Sequence, residues 1–373
     1  MKVLFDISSS KITSTGISVY QIELIRELKK ISGLTVSEIW YQPKFSRRSK
    51  LRSIDSFYRD LFWQELILKK NGLKTKADIL HFPAYNFPSS RKDKMLITVH
   101  DIYSIIEPRF YKMWHAKIVN RYINLAVKQQ RQILVPSFFV KKEILKYFQD
   151  ANESCIHVIH SGISNLRFKV GNELLLKKIK SKYKIYKPYF LSVSTIEPRK
   201  NFLNLIVAFA KIANEVEHDL VLVGQDGWKN KKVYDLIHKL RLENRVHFTG
   251  FVSNEELNVL YSYASCFVFP SYYEGFGFTP LEAMKCGCPV VSSNASCMPE
   301  ILGTAAMFFA PNNTDAMAAS ILNMLNDAEL SKEYVEKGIL QSQKYSWQRT
   351  ALETFQLYHK ILNKEIVSDS FQS

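Results

Sequence analysis

The 373-residue sequence predicts an α/β fold made of two Rossmann-like domains, each a doubly wound parallel sheet, that face a central cleft. Short apolar runs alternate with amphipathic helical segments, which is typical of parallel strands joined by helical crossovers. The alternation stops at a charged stretch near residues 163 to 187 and then starts again. Because the chain is long enough for two hydrophobic cores, we expect one domain at 1–165 and a second at 185–346. We expect the last helix, at about 347–373, to pack back near the first domain.

The predicted strands follow one another in a regular order in both series. The first series opens with "KVLFD" and the helical segment "SVYQIELIRELKKI", and its further strand-like runs are "ADILHFP", "MLITVHD", "QILVPS" and "IHVIHSG". The second series contains "PYFLSVS", "LVLVGQDG", "RVHFTGFV", "SCFVFPS", "PVVSSNA" and "AAMFFAP". Open parallel sheets bind ligands beyond the carboxyl ends of their strands, so functional side chains are expected in the loops after these runs.

Composition excludes several classes of protein. No apolar run approaches the roughly 18 residues that span a bilayer, and the apolar part of the opening "MKVLFDIS" is too short for a signal peptide, so we expect a cytoplasmic protein. The five cysteines are odd in number and lie mostly in apolar surroundings, which favours reduced core thiols over disulfides. Cys286, Cys288 and Cys297 have no histidine nearby and fit no common zinc spacing, so no metal site is expected.

The net charge of +16 is concentrated in the first half of the chain, where residues 1 to 165 hold 27 basic and 14 acidic side chains. Such an excess indicates either a solvated surface or an anionic partner. It is densest from Lys44 to Lys76, where cations are interleaved with aromatic side chains such as Trp63. This mixture favours docking on the anionic inner leaflet of a membrane. The alternative is that the aromatic residues pack on the first sheet while the cations face water. No nucleic-acid-binding motif is present, so no nucleic-acid partner is expected.

Two carboxylates stand out in the stretch "PSYYEGFGFTPLEAMKCGCPVV". Glu274 follows a predicted strand directly, where an uncompensated carboxylate near a cleft is costly, so we interpret it as functional. Glu282 has a structural alternative, because Thr279 as N-cap and Glu282 three residues later would form a capping box. The glycine turn before this helix also exposes backbone N–H groups that suit a phosphate or a sugar hydroxyl.

Other loops after predicted strands carry further candidates. "STIEPRKN" places Arg199 and Lys200 beside Asn201, a plausible N-cap, where the two cations could hold a diphosphate. His100 ends the run "MLITVHD", although a lone histidine is more often a structural hydrogen-bonding group. Gly16 precedes a helix, where backbone can approach a ligand closely. The loop around Gly16 lacks the complete Gly-x-Gly-x-x-Gly pattern, which disfavours a dinucleotide dehydrogenase.

In combination these motifs resemble the retaining family 4 glycosyltransferases of the GT-B fold, also described as glycosyl transferases group 1. The resemblance covers nearly the whole chain, and its most specific element is a pair of glutamates with seven residues between them, here Glu274 and Glu282. Other matching segments are "TGISVY", "VIHSGIS", "STIEPRKN", "LVLVGQDGW", "VHFTGFVSNEEL" and "MPEILGTAAMFF". The form "STIEPRKN" is similar to that of bacterial mannosyltransferases, which favours a mannose-type donor.

The resemblance implies a role for each candidate residue. Glu274 would face the donor sugar and its leaving diphosphate, and Glu282 would bind the ribose hydroxyls of the nucleotide. Arg199 and Lys200 would neutralise the diphosphate, and His100 would contact the sugar. Backbone groups would supply the remaining contacts: amides to the sugar at Phe276, Gly277 and Phe278, a phosphate contact near Thr279, the base contact at Gly250, Phe251 and Val252, and the N-terminal glycine loop at Gly16.

The resemblance also implies a chemistry. A nucleotide-diphosphate sugar would be the co-substrate, with no cofactor, and the acceptor would be a glycan or a lipid-diphosphate-linked glycan in cell-surface polysaccharide biosynthesis. Because the chain has no Asp-x-Asp motif, fixed cations rather than a metal would hold the diphosphate. Many relatives have an additional arginine where this chain has Ser194 and Thr195, so phosphate binding would depend more on Arg199 and Lys200. Retention could proceed through a covalent intermediate or by same-face attack.

Two other classes of function stay open at this point. A nucleotide-sugar epimerase can share the architecture, but it needs acid and base groups that move a proton, whereas the glutamate pair fits transfer better. A basic, non-enzymatic membrane-binding module would explain the charge of the first half. It would leave Glu274, Glu282 and the glycine turn without a role.

Overall fold

A computed structural model of the chain describes residues 1–8, 10, 16–42, 76–88, 94–111, 113–163 and 172–369. The chain divides into two compact units. The first consists of Met1–Gly162 together with Tyr345–Ser373, and the second of Ile163–Lys344.

The described residues of the first unit form a parallel sheet of six strands flanked by helices. The strands are β1 (Lys2–Asp6), β2 (Thr35–Ile39), β3 (Ile79–Phe82), β4 (Met95–Thr98), β5 (Gln132–Val135) and β6 (Ile156–Val158). The helices between them are α1 (Gly16–Leu28), α2 (Tyr103–Ile106), α3 (Met113–Lys128) and α4 (Phe138–Tyr147). The spatial order β2-β1-β3-β4-β5-β6 places the reversal of chain direction through the sheet between β1 and β3.

The strand β2 was not among the predicted runs. Its residues "TVSEI" are exposed or half-buried along their whole length, because β2 lies at the edge of the sheet and pairs only with β1 among the described strands. The central strands β3 and β4 are buried at every position, as expected for a parallel sheet covered on both faces. An edge strand with polar residues lacks that apolar signal, which explains why the sequence pattern missed it.

The second unit repeats the architecture in its described residues. Its strands are β7 (Tyr189–Val193), β8 (Asp219–Val223), β9 (Val246–Gly250), β10 (Cys266–Phe269), β11 (Val290–Ser293) and β12 (Ala306–Phe309). Its helices are α5 (Glu173–Tyr183), α6 (Phe202–Ile212), α7 (Lys231–Lys239), α8 (Asn254–Tyr263), α9 (Phe278–Lys285), α10 (Met298–Leu302), α11 (Thr314–Asn326) and α12 (Ala328–Gln343). The charged stretch after residue 163, which has little strand character, contains α5.

The strand order of the second unit determines where its functional loops meet. The order β12-β11-β10-β7-β8-β9 is the Rossmann order, in which the first and fourth strands of the unit are neighbours. These neighbours are β7 and β10, and the chain leaves their carboxyl ends in opposite directions. A crevice opens at such a switch point, so the loops after β7 and β10 are the expected place for a ligand.

The last helix, α13 (Trp347–Asp369), packs on the first unit. Its Tyr358 hydroxyl lies 2.7 Å from Nδ1 of His81 in β3, and Nε2 of His81 lies 2.9 Å from the Thr98 hydroxyl in β4. All three side chains are buried. Thr350 also donates a hydrogen bond of 2.8 Å to the carbonyl oxygen of His160. These buried contacts attach α13 to the first sheet.

Candidate active site

A backbone hydrogen bond and the side chain of Asn201 connect the loops after β7 and β10. The N–H of Tyr272 donates to the carbonyl oxygen of Arg199 at 2.9 Å. Asn201 precedes α6 as predicted, but its side chain does not cap the helix. Instead its buried amide donates to the carbonyl oxygens of Pro270 at 2.9 Å and Pro311 at 2.8 Å. Asn201 therefore connects the loop after β7 to the loops after β10 and β12.

Three of the predicted site residues meet at this point. Glu274 receives Lys200 Nζ on Oε1 at 2.5 Å and Arg199 Nη1 on Oε2 at 3.0 Å. Arg199 also pairs with Glu197 at 3.1 Å and donates to the Tyr273 carbonyl oxygen at 2.9 Å. We name the four side chains Glu197, Arg199, Lys200 and Glu274 the ion cluster. Its two cations are balanced by two carboxylates, so the ion cluster is electrically neutral as it stands.

Burial and charge act in opposite directions on Glu274. Burial alone would raise the pKa of its carboxyl, but the Arg199 and Lys200 charges outweigh it and lower the pKa to about 2. Burial, together with the Arg199 charge, lowers the pKa of Lys200. Glu274 therefore stays ionised at neutral pH and has no proton to donate there, which suits electrostatic stabilisation rather than general acid catalysis.

The turn before α9 requires glycine. Gly277 has φ +90°, and a Cβ atom there would lie 2.4 Å from Cε of Met298. Gly277 is also the N-cap residue, and α9 begins at Phe278 without any side-chain cap. The predicted capping box of Thr279 and Glu282 is therefore wrong. The chain enters the helix through a left-handed glycine, so the helix begins two residues earlier than an N-cap at Thr279 would allow. Thr279 lies within the first turn, near the backbone N–H groups at the helix start.

Glu282 lies on α9 and is 9% exposed. The Tyr261 hydroxyl of α8 lies 3.5 Å from its Oε2. Burial, with the nearby Glu282 charge, raises the pKa of Tyr261, so this hydroxyl keeps its proton and donates. Without the capping box, Glu282 no longer has the structural role that the sequence offered. Its contact with the ribose stays a prediction.

The loop after β9 carries the residues predicted to contact the base. Gly250 ends β9 with φ +66°, and its carbonyl oxygen accepts the N–H of Gly224 at 3.0 Å. The Phe251 side chain is 69% exposed, whereas Val252 is buried. β9 pairs with β8, which pairs with β7, so this loop leaves the same carboxyl edge of the sheet as the ion cluster.

The first unit contains the other two predicted site residues. His100 follows β4, and its Nε2 lies 3.1 Å from the Pro83 carbonyl oxygen. Burial lowers the pKa of His100, so the ring is neutral at pH 7; Nε2 must then donate to the carbonyl, and Nδ1 is left as an acceptor. Gly16 is the first residue of α1, and residues 11–15 before it lie outside the described residues. The contacts predicted for both residues stay predictions.

Sequence reasoning missed two residues that contact Glu274. The N–H of Glu274 donates to the Ser296 hydroxyl at 3.0 Å, and the Cys297 thiol donates to the Glu274 carbonyl oxygen at 3.1 Å. Both lie in the loop after β11, which the pattern identified only as the end of the run "PVVSSNA". Position after a predicted strand was the available signal, but Cys297 was considered only as a thiol or metal ligand.

Comparisons with known proteins show what the chain is similar to. Residues 177–341 match the family model described as glycosyl transferases group 1. The O-antigen chain mannosyltransferase B of Escherichia coli is 28% identical over 381 aligned residues, which cover 96% of this chain and 99% of that protein.

Solved structures show the same fold. Sucrose-phosphate synthase from Thermosynechococcus elongatus has a TM-score of 0.76 at 19% identity, with 98% of this chain and 100% of that chain covered. HepE of Anabaena, solved in complex with UDP and glucose, has a TM-score of 0.74 at 18% identity, with 96% and 100% covered. These findings confirm the fold and the family inferred from the motifs: the chain has the GT-B fold, and its residues 177–341 are a glycosyl transferases group 1 domain.

Proposed function

We propose that this glycosyltransferase moves a mannose-type sugar from a nucleoside-diphosphate donor to a glycan or lipid-linked glycan acceptor, with retention of configuration and without a metal. The observation that carries the proposal is the ion cluster, in which Lys200 and Arg199 hold Glu274 at the switch point of the second sheet. The two cations of the ion cluster suit a diphosphate, and the switch point is where this fold usually binds its ligand.

The ion cluster suits the charge changes of glycosyl transfer. When the bond between the sugar and the diphosphate breaks, negative charge develops on the leaving phosphate and positive oxocarbenium character on the sugar. Lys200 and Arg199 are placed to stabilise the phosphate, the first as a compact charge and the second as a planar fork. Glu274, which remains a carboxylate, is placed to stabilise positive charge on the sugar. The diphosphate would share the two cations with Glu274, because they are already paired in the neutral ion cluster.

The donor and acceptor are proposed from the relatives. The Escherichia coli relative is named as an O-antigen chain mannosyltransferase, which supports a mannosyl donor and a growing cell-surface glycan as acceptor. HepE was solved with UDP and glucose, which supports a nucleoside diphosphate as the other part of the donor.

We also propose that the enzyme works at the inner leaflet of the membrane, on the basis of the charge from Lys44 to Lys76. That segment lies outside the described residues apart from Lys76. None of the helices in the described part of the chain has the length and apolar character needed to cross a bilayer.

A panel of nucleotide sugars tests the proposal. Binding and slow hydrolysis of GDP-mannose, UDP-glucose and their epimers should single out one donor, and NMR of the released sugar should first show the anomer of the donor. A chelator should leave the rate unchanged. Recovery of an epimerised nucleotide sugar would instead favour an epimerase, and inversion or full dependence on added divalent metal would contradict the retaining, metal-independent reaction. Binding of none of the panel would overturn the proposal.

A further inference from the structure

Two consecutive residues of another loop form hydrogen bonds with the backbone N–H and carbonyl groups of Glu274. Its N–H donates to the Ser296 hydroxyl at 3.0 Å, and its carbonyl oxygen accepts the Cys297 thiol at 3.1 Å. Cys297 is fully buried and Ser296 is half-buried. The loop after β11 thereby holds the backbone of Glu274, while the ion cluster holds its carboxylate.

Ser296 forms its hydrogen bond from an unusual backbone conformation. Its φ is +56°, in the left-handed region that favours glycine and strains other residues. A left-handed serine costs stability, so a purely structural turn would be better served by glycine. The serine supplies what glycine lacks, a hydroxyl oxygen that accepts the N–H of Glu274. The burial of Cys297 likewise directs its weak donor at one carbonyl oxygen rather than at solvent.

We propose that Ser296 and Cys297 are positioning residues for Glu274, which hold the carboxylate in register with the reacting sugar. The inference rests on the proposed function, in which Glu274 acts on the donor sugar. Small displacements of a group that acts on the transition state cost rate far more than they cost binding. These two hydrogen bonds should therefore affect turnover rather than affinity for the nucleoside diphosphate. The diphosphate is proposed to bind Arg199 and Lys200, which lie in the loop after β7.

The glycine variant separates positioning from stability. Ser296→Gly removes the hydroxyl and relieves the left-handed strain, so its melting temperature should equal or exceed that of the wild type. Its turnover should fall about fivefold, the effect of one lost hydrogen bond, with the Kd of the nucleoside diphosphate unchanged. Arg241→Gly is the matched control, because Arg241 also has φ +56° but is exposed at the end of α7. Its melting temperature should likewise equal or exceed that of the wild type, and it should lose no turnover.

A double-mutant cycle tests whether Ser296 acts through Glu274. The turnover of each variant is measured as hydrolysis of whichever of GDP-mannose and UDP-glucose the wild type hydrolyses. Ser296→Gly should cost about fivefold in the wild-type background and nothing further in the Glu274→Gln background. Two outcomes would overturn this inference alone. In the first, Ser296→Gly lowers turnover equally in both backgrounds; in the second, Ser296→Gly leaves wild-type turnover unchanged although Glu274→Gln is impaired. A fully active Glu274→Gln would overturn the proposed function and this inference with it.

Cys297 is tested by a rescue pair. Cys297→Ala removes the donor to the Glu274 carbonyl oxygen, whereas Cys297→Ser keeps an O–H donor in nearly the same place. We expect turnover to fall severalfold in Cys297→Ala and to be restored at least in part in Cys297→Ser, with unchanged affinity for the nucleoside diphosphate. Equal turnover in the two variants would overturn the role of the thiol.

Discussion

At the level of single residues, Glu274 sets the charge of the ion cluster. It neutralises two half-buried cations, Lys200 at 2.5 Å and Arg199 at 3.0 Å, and Arg199 also pairs with Glu197. In the proposed function, a carboxylate in this position competes with the incoming diphosphate for Arg199 and Lys200. The sequence placed the two cations and Glu274 in separate loops and did not predict that they pair, whereas the structure shows them in one cluster.

This competition predicts opposite effects of Glu274→Gln on turnover and on binding. Turnover should fall by on the order of a hundredfold or more, because the charge that stabilises the reacting sugar is lost. Affinity for the nucleoside diphosphate should rise severalfold, since Arg199 and Lys200 are no longer paired with the negative charge of Glu274. Steady-state kinetics and calorimetric titration measure the two effects. Glu333→Gln, which breaks a surface pair with Lys337, should change neither. A loss of nucleotide affinity in Glu274→Gln would contradict the shared use of the cations.

The low pKa of Glu274 predicts how acid affects stability. The pKa is about 2 in the folded chain against an ordinary 4.5, so the paired carboxylate stabilises the fold fully above pH 4.5 and loses this contribution as the pH falls towards 2. The wild type should be more stable than Glu274→Gln at pH 7 by on the order of 3 kcal/mol. Urea unfolding at several pH values should show this advantage shrinking below about pH 4.5. A difference that stays constant down to pH 3 would show that the carboxylate is not paired as described.

Lys200 is predicted to govern diphosphate binding. Lys200→Ala removes a half-buried cation from the switch point, so the Kd for the nucleoside diphosphate should rise about tenfold or more while the free nucleoside is little affected. Lys211→Ala is the matched control, because Lys211 pairs with the exposed Asp315 and donates to the Thr314 hydroxyl, both outside the ion cluster. Activity of the wild type in a chelator is measured beside it. Equal binding by Lys200→Ala and wild type would remove Lys200 from the donor site.

At the level of secondary-structure elements, the start of α9 shows what local patterns predict and what they miss. "TPLE" has the spacing of a capping box, and the sequence alone gave no reason to place the helix start at Phe278. The decisive contact is between Gly277 and Met298 in α10, which follows a different strand. Capping is a local signal, but the close approach of two elements depends on which strands are neighbours.

The two left-handed glycines of the site predict different costs of substitution. At Gly277 an added Cβ would meet Met298 at 2.4 Å, whereas at Gly250 nothing lies within 4 Å. Gly250→Ala should therefore cost only backbone strain, about 1 kcal/mol, and Gly277→Ala should cost clearly more, about 2 to 4 kcal/mol, together with most of the activity. Chemical unfolding compares the two directly. Equal destabilisation by both variants would show that Met298 moves aside without cost.

At the level of the whole molecule, the excess of positive charge in the first half predicts binding to anionic membranes. Co-sedimentation should require anionic lipid, weaken with salt as the charges are screened, and fall when Arg47, Arg48, Lys50 and Arg52 are changed together to Gln. Each cation near the surface is expected to contribute about 1 kcal/mol. The control changes an equal number of basic residues in α5, a lysine-rich helix of the second unit, to Gln. Indifference of the wild type to anionic vesicles at low salt would favour a soluble acceptor.

The sequence by itself determined the class of fold, the family and the loops that carry the site. Alternating strands and helices predict parallel sheets because buried strands and amphipathic helices have local periodicities, and the spacing of Glu274 and Glu282 is fixed along one segment. Only the tertiary structure decided which side chains meet. Lys200 and Glu274 are 74 residues apart, and they pair because β10 lies beside β7 rather than beside β9. Strand order depends on how all the helices and strands pack together, and no local pattern in the sequence records it.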